Sequence, residues 1–428
     1  MGVRTYVRTS RNQSPPQPEA TRSPVRTQRP PWFGLDIPLL LVAILLAIFG
    51  IVMVYSASAD YSFGHGRAVS SIFSRQLLWL VLGSGGMVFL IFMDFRWLRK
   101  LAIPLMLATL FLLILVQIVQ DERLGAVRSL FNGSVQPSEL AKLALIIYLS
   151  IWLYNRSDQI RQIRLWIIPM GVILGLLGGL IMMQPDLSAV ITIAILGSIM
   201  IFLAGGGIRQ LLVVLAVGVL VGYLIIISGV FSTGTQRWIE FVRGLGNPYE
   251  YSLHVRLALQ AFIRGEWFGV GIGMSMLKLL GLPFPHTDSI FAVVGEELGV
   301  VGASALIGMF LFLLWRGLRI ARNSTDKLGA LLASGISVWL VTEAFINMLV
   351  MVGLMPFAGN ALPFISAGGS SLTMTLAGIG IMLNVSRQTA KQKSAEERSS
   401  HAVVDMRRRD RRGRISRPVR PSDPAVED

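Results

Sequence analysis

Read from its amino end, the chain alternates between long apolar runs and short polar breaks. "IPLLLVAILLAIFGIVMVYSA" is 21 residues without a charge, and a helix needs about 20 such residues to cross roughly 30 Å of hydrocarbon. Nine similar runs follow. The pattern predicts ten membrane-spanning helices at approximately 36–57, 76–93, 101–119, 137–154, 166–183, 187–204, 210–230, 290–314, 329–352 and 369–385. The fold class is all-α: a polytopic membrane protein whose outer surface is covered mostly by lipid. Between the seventh and eighth spans the pattern changes. Residues 231–289 contain amphipathic stretches such as "SLHVRLALQAFIRG" and a Gly-rich piece, "GVGIGMSMLKLLGLP". So long a connection predicts a structured, functional loop.

Composition agrees. With 53% hydrophobic and 15% charged residues, and mean hydropathy +0.63, the chain is too apolar for an ordinary soluble domain. The net charge of +15 changes the picture further, because it is uneven. Residues 1–33 hold six Arg and one Glu, and the chain from Ser386 holds twelve Lys or Arg against seven acids. Both tails, 1–33 and 387–428, read as disordered basic segments. "MRRRDRRGR" is better suited to anionic lipid and to setting topology than to nucleic acid.

An even span count puts both tails on one side. On that side also fall "DFRWLRK", "NRSDQIRQIR", "GGGIRQ" and "WRGLRIARNSTDK", which with the tails carry most of the positive charge. The positive-inside rule makes that side cytoplasmic. Residues 120–136 and the 231–289 loop then face outward. The first apolar run follows a 33-residue polar tail and is too long for the core of a cleavable signal, so it reads as an uncleaved span. With no Cys and four His, neither a disulfide framework nor a soft-metal site is expected.

The candidate chemistry clusters at the outward ends of the spans. "LPFPHTDSIFAVVGEELGVVG" leads into the eighth. Asp288, after His286 and Thr287, is placed at the outer interface, where partial burial would help it accept a proton; an N-cap is the plainer role. Glu296 and Glu297, further along, need a cation from another span, or one of them is a neutral structural acid. "VQPSELAK" opens the fourth span with Glu139 and Lys142 on one helix face. They form either a local ion pair or an anion-attracting Lys142 held by Glu139. "QPDLS" opens the sixth, where Asp186 reads as a helix initiator. "GLMPFAGNALPFISAGGSS", before the tenth, suits a re-entrant connection covered by protein. There Gly368 and Gly369 permit close approach, and Ser370 or Ser371 is a candidate cap.

Together these stretches resemble the SEDS family of FtsW, RodA and SpoVE. The motifs occur in the same order over about residues 35–386: "VYSAS", "QPSELAK", "QPDLS", "HTDSIFAVVGEELGVVG" and "LPFISAGGSS". "VYSAS" and "GVGIGMSMLK" followed by "LP" are more similar to FtsW than to RodA. The resemblance implies a ten-helix domain over 34–386 and a peptidoglycan glycosyltransferase that polymerises lipid II at the outer face of the bacterial cytoplasmic membrane. It also implies a class B penicillin-binding protein and other division proteins as partners, and places the family's essential loop aspartate on Asp288. Four positions depart from the family pattern: Ser129 and Ala367 replace a Trp and a Tyr, Ser289 a Phe, and Glu343 a Gln.

The implied chemistry needs one base for a sugar hydroxyl, because a lipid pyrophosphate is already a good leaving group. It also needs cations on the pyrophosphate. Asp288 is the candidate base. Lys142, Arg128, Arg237 and Arg243 are candidate clamps, with Glu139, His286, Thr287, Ser366, Gly368, Gly369 and Ser370 around the substrate. A divalent ion at the pyrophosphate is the one cofactor this chemistry would admit. The rival readings are a lipid II flippase, a polymerase serving elongation as RodA does, and a scaffold that only recruits other proteins.

Overall fold

The structure, a computed structural model, describes residues 34–64, 70–119, 135–156, 163–184, 186–227 and 232–413. Twelve α-helices run through them, and no β-strand occurs among the described residues. Seven helices are long and apolar enough to cross a membrane. They are α1 (Ile37–Gly64), α2 (Ser70–Phe92), α3 (Leu98–Val119), α4 (Pro137–Asn155), α10 (Ile290–Asn323), α11 (Lys327–Met351) and α12 (Gly369–Gly413). Three others, α5 (Ile163–Met182), α6 (Leu187–Leu203) and α7 (Ile208–Ile227), stand where the fifth to seventh spans are predicted. Among the described residues their apolar stretches cover Ile168–Met182, Leu187–Leu203 and Ile208–Leu220. The protein is thus a multi-pass all-α membrane protein, with an apolar helix at each predicted position.

The loop over 231–289 is structured, as its pattern predicts. It contains α8 (Ser232–Gly246), a 3-10 turn at Pro248–Glu250 and α9 (Leu253–Gly265). α9 is the amphipathic stretch read from sequence; it buries Val255, Ala258 and Ala261 and packs on α10.

α11 lies at the centre, packed against α4, α6, α10 and α12. α12 in turn lies along α2. One large apolar cluster joins α1, α10, α11 and α12, and a smaller one fills the space among α3, α4, α5 and α6. At one end of the bundle the guanidinium of Arg316 grips Asp36 with bonds of 3.0 and 2.6 Å. Asp326 faces Arg96 and Arg99 there, and the Ser386 hydroxyl donates to the Gly34 carbonyl. Basic connections therefore gather at this end.

Two helices depart from expectation. α10 is broken at Gly299, whose φ of 65° no neighbouring helical residue shares. The predicted span 290–314 is two pieces, a short helix over 290–298 and a second over 300–323 that is about 36 Å long. α12 continues to Gly413, so the segment from 387, expected to be disordered, is helical through 413. Its run of Ala, Gln, Lys, Glu and Arg has high helix propensity without an apolar face, and Thr325 bonds Gln392 near its start.

Candidate functional site

The opposite end of the bundle gathers the segments singled out in the sequence. Asp186 caps α6 by accepting from the Ala189 N–H at 3.2 Å, and it also receives the Ser188 hydroxyl at 2.8 Å. Gln136 and Ser138, at the start of α4, donate to its other oxygen at 2.9 and 3.1 Å. One carboxylate thus fixes two helix starts together. The Ser370 hydroxyl, a candidate cap for its own helix, instead accepts the Gln136 N–H at 3.0 Å, joining α12 to the same corner. Gly369 is needed there because a Cβ would come within 2.4 Å of the Trp79 ring.

One turn into α4, Lys142 is buried. Its ammonium bonds Glu139 at 2.8 Å and also Glu343 of α11. The sequence suggested a Glu139–Lys142 pair; the second acid, standing where the family pattern has Gln, was not anticipated. Lys142 is therefore held in a buried triad with both acids. From Glu343 the polar chain continues outward. Asn360 donates to the Glu343 carbonyl at 3.0 Å, and Asn347 donates to the carbonyls of Asn360 and Asp288 at 2.5 and 2.9 Å.

Asp288 is half-buried on a turn tied down at three successive carbonyls. The Ala367 N–H donates to His286 at 2.8 Å, the Ser366 hydroxyl to Thr287 at 2.7 Å, and Asn347 to Asp288 itself. Ser289, not Asp288, occupies the cap position of α10, and its side chain makes no cap bond. Thr287 is partly exposed, with its hydroxyl 3.4 Å from the Phe284 carbonyl. His286 is mostly buried, and that desolvation lowers its pKa to about 4.

The tether residues Ser366 and Ala367 belong to the connection after α11. It is buried by protein, as expected of a re-entrant segment. A Cβ on Gly50 would lie 2.1 Å from the Phe364 carbonyl. Gly50 stands about 20 Å along α1 at 1.5 Å per residue, so the connection packs against the middle of that helix.

Glu296 and Glu297 have partners, but their cations come from the 231–289 loop and not from another span as expected. Glu297 meets Lys278 at 3.2 Å, and the Ser56 hydroxyl of "VYSAS" sits 2.6 and 2.8 Å from its two oxygens. Glu296 receives the Ser275 hydroxyl at 2.5 Å and the Met276 N–H at 3.0 Å, with Arg264 at 3.5 Å. The broken helix explains the arrangement. At Gly299 the Glu296 and Glu297 carbonyls lose their helical partners and accept the Val270 and Gly271 N–H groups, each at 3.0 Å. The Val300 and Val301 N–H groups turn to the carbonyls of Glu266 and Trp267 at 2.9 and 3.1 Å. The Gly-rich loop is spliced into the gap, and a Cβ on Gly269 would lie 2.2 Å from the Glu297 carbonyl. These carboxylates hold the loop that carries Asp288.

The comparisons with known proteins decide the family. The model of the FtsW, RodA and SpoVE cell cycle proteins matches residues 37–391. The chain belongs to this family. It is 38% identical over 356 residues to the probable peptidoglycan glycosyltransferase FtsW of Trichlorobacter lovleyi, covering 82% of this chain and 93% of that protein. It is 36% identical over 367 residues to the stage V sporulation protein E of Bacillus subtilis, covering 82% and 97%. Among solved structures, a chain of a peptidoglycan synthase complex matches with TM-score 0.66 and 28% identity over 84% of this chain and 99% of that one. RodA of Thermus thermophilus matches with TM-score 0.59 and 27% identity over 84% and 98%.

For an FtsW-like chain, the remaining candidates divide. Arg128 and Ser129 lie outside the described residues. Arg237 of α8 is half-buried with its guanidinium 5.2 Å from the Phe357 ring centre. Arg243 is exposed on the last turn of α8. Ser366 braces the turn, and Gly369 lets α12 start against Trp79, whereas a Cβ on Gly368 would meet only Ser371 at 3.4 Å. The sequence reading missed Asn347, Asn360, His254, Ser56 and Lys278. Asn347 carried a usable signal, a polar residue inside an apolar span; the others show their role only through partners distant in sequence.

Proposed function

We propose that this FtsW-like chain polymerises lipid II at the outer face of the cytoplasmic membrane during cell division, with Asp288 as the general base. The protein is a peptidoglycan glycosyltransferase. The observation that carries the Asp288 role is its turn: a half-buried carboxylate at the end of the bundle away from the basic connections, with three successive backbone carbonyls anchored to α11 and the re-entrant connection. Such anchoring gives a base a fixed position through its backbone.

In the reaction, Asp288 accepts the proton of the acceptor sugar hydroxyl as that oxygen bonds the donor's anomeric carbon. The donor's carbon–oxygen bond breaks, and the lipid pyrophosphate leaves with the electron pair. The proton then passes to solvent. Arg237, and Arg128 from the sequence, are the cations assigned to the pyrophosphate. Among the described residues no three His, Asp or Glu side chains gather around one point; a divalent ion on the pyrophosphate would be held mainly by the substrate's own phosphate oxygens. The prenyl tails of both substrates explain why the catalyst is a membrane bundle.

Basic connections gather at the Asp36–Arg316 end, which supports cytoplasmic termini by the positive-inside rule. A class B penicillin-binding protein is the proposed partner. The test uses purified protein with that partner and lipid II. Asp288→Asn is expected to abolish glycan polymerisation while preserving the thermal midpoint. Undiminished polymer would refute the assignment, and movement of labelled lipid II across sealed liposomes without elongation would identify a flippase instead.

A further inference from the structure

The turn carrying Asp288 is strained. Phe284 has a φ of 49°, a conformation costly for a residue with a Cβ, and its carbonyl accepts from both the Thr287 and Ser289 N–H groups. Strain of this kind persists only where surrounding contacts fix it. Three anchors come from α11 and the re-entrant connection. A fourth comes from the outer loop, through His254 on α9.

The His254 imidazole stacks on Phe357, with ring centres 4.1 Å apart and planes 22° from parallel. It also runs nearly parallel to the strained Phe284, at 6.3 Å and 8°. Its Nδ1 is 3.3 Å from the Ser289 hydroxyl. That hydroxyl lies 2.9 Å from the Pro283 carbonyl and has only one proton to give. With the Ser289 proton on Pro283, the His254–Ser289 bond requires the imidazole to donate from Nδ1. The Arg237 guanidinium also lies over the Phe357 ring, 5.2 Å from its centre. A continuous row therefore links Arg237, Phe357, His254 and Ser289, the residue beside Asp288. The imidazole's pKa falls to about 4, first through burial and then through the charge of Arg237. It therefore sits beside Arg237 as a neutral ring.

We propose that His254 is a positioning residue, which sets the Asp288 turn in fixed relation to Arg237 through its bond to Ser289 and its stack on Phe357. The proposal rests on Asp288 as base and Arg237 as pyrophosphate cation. It also gives Ser289 a purpose: the residue is buried, and the resembling family has an aromatic there. In this chain an imidazole from α9 supplies the ring, and Ser289 supplies the acceptor it binds.

The experiment measures kcat and KM for lipid II polymerisation with the full-length protein and its transpeptidase partner. His254→Phe keeps a ring but removes the donor. Ser289→Ala removes the acceptor. His254→Asn keeps a donor at the Nδ1 position without the ring. His254→Phe and Ser289→Ala are each expected to lower kcat about tenfold to a hundredfold, the cost of a misplaced group, with KM nearly unchanged. The double variant should be no worse than either single one, and His254→Asn should recover part of the loss. Thermal midpoints are read alongside. Unchanged kcat in both single variants would overturn the proposal, as would additive losses that track a falling midpoint. Asp288→Asn is run in parallel: polymerisation by that variant defeats the base assignment itself, whereas an inactive Asp288→Asn beside a normal His254→Phe defeats only the positioning role.

Discussion

Lys142 is the single cation between two acids, and its removal and theirs have different consequences. Lys142→Met leaves Glu139 and Glu343 facing each other in a buried site. Breaking a buried ionic group this way costs about 3–5 kcal/mol, so a large drop in the thermal midpoint in detergent is expected. Glu343→Gln retains a hydrogen-bonding side chain and leaves Lys142 paired with Glu139 at 2.8 Å. It should stay near wild type in both midpoint and polymerisation. If the two variants were equally damaging, Glu343 would carry a role beyond pairing. The sequence supplied the Glu139–Lys142 spacing because i and i+3 share a helix face. It did not supply Glu343, which is distant along the chain and meets Lys142 only by helix packing.

At the scale of elements, the break in α10 governs the outer loop. Gly299→Ala would force a side chain into positive φ and bring its Cβ within 2.5 Å of the Gly269 nitrogen and the Trp267 carbonyl. The splice cannot hold both. Limited proteolysis between 266 and 281 should become faster, and the midpoint should fall. Lys278→Met leaves Glu297 buried beside Ser56 without its cation and should destabilise by about 3–5 kcal/mol. Adding Glu297→Leu should restore part of that loss, because the uncompensated charge goes with it; a double variant no better than the single one would contradict the pairing. Periodicity placed α9 and the starts of nearly all spans within a few residues, while α1, α10 and α12 run well past their predicted ends. It did not reveal the break, because "GEELGVVG" reads as one apolar helix start whether or not its glycine turns the chain.

For the whole molecule, two imidazoles outside the spans, His286 buried and His254 half-buried, make stability depend on pH. His254 and His286 both have pKa values lowered from 6.5 to about 4. The unfolded chain binds protons at these sites near 6.5, so between about 4 and 6.5 it holds more than the folded one. Their contribution is complete above pH 6.5 and is lost as pH falls toward 4. The midpoint should be level from pH 7 to 8 and decline below 6.5, less steeply in His254→Gln/His286→Gln. The architecture was largely legible from hydrophobic runs and motif order, because lipid imposes length and apolarity on each span. Asp288 became the candidate base through the family resemblance, since its position alone favoured a helix cap. Its anchors Asn347 and Ser366, and its link to His254, come from segments that only the folded chain brings together.

The interruption at Gly299 also has a mechanical meaning. A straight rod through the bilayer would transmit axial load directly to the acid-bearing turn. Here residues 290–298 are stitched sideways, amide by amide, to the loop beyond α9. A pull on that loop would be borne by residues 290–298 and by the turn's anchors on α11, and would not pass straight along 300–323.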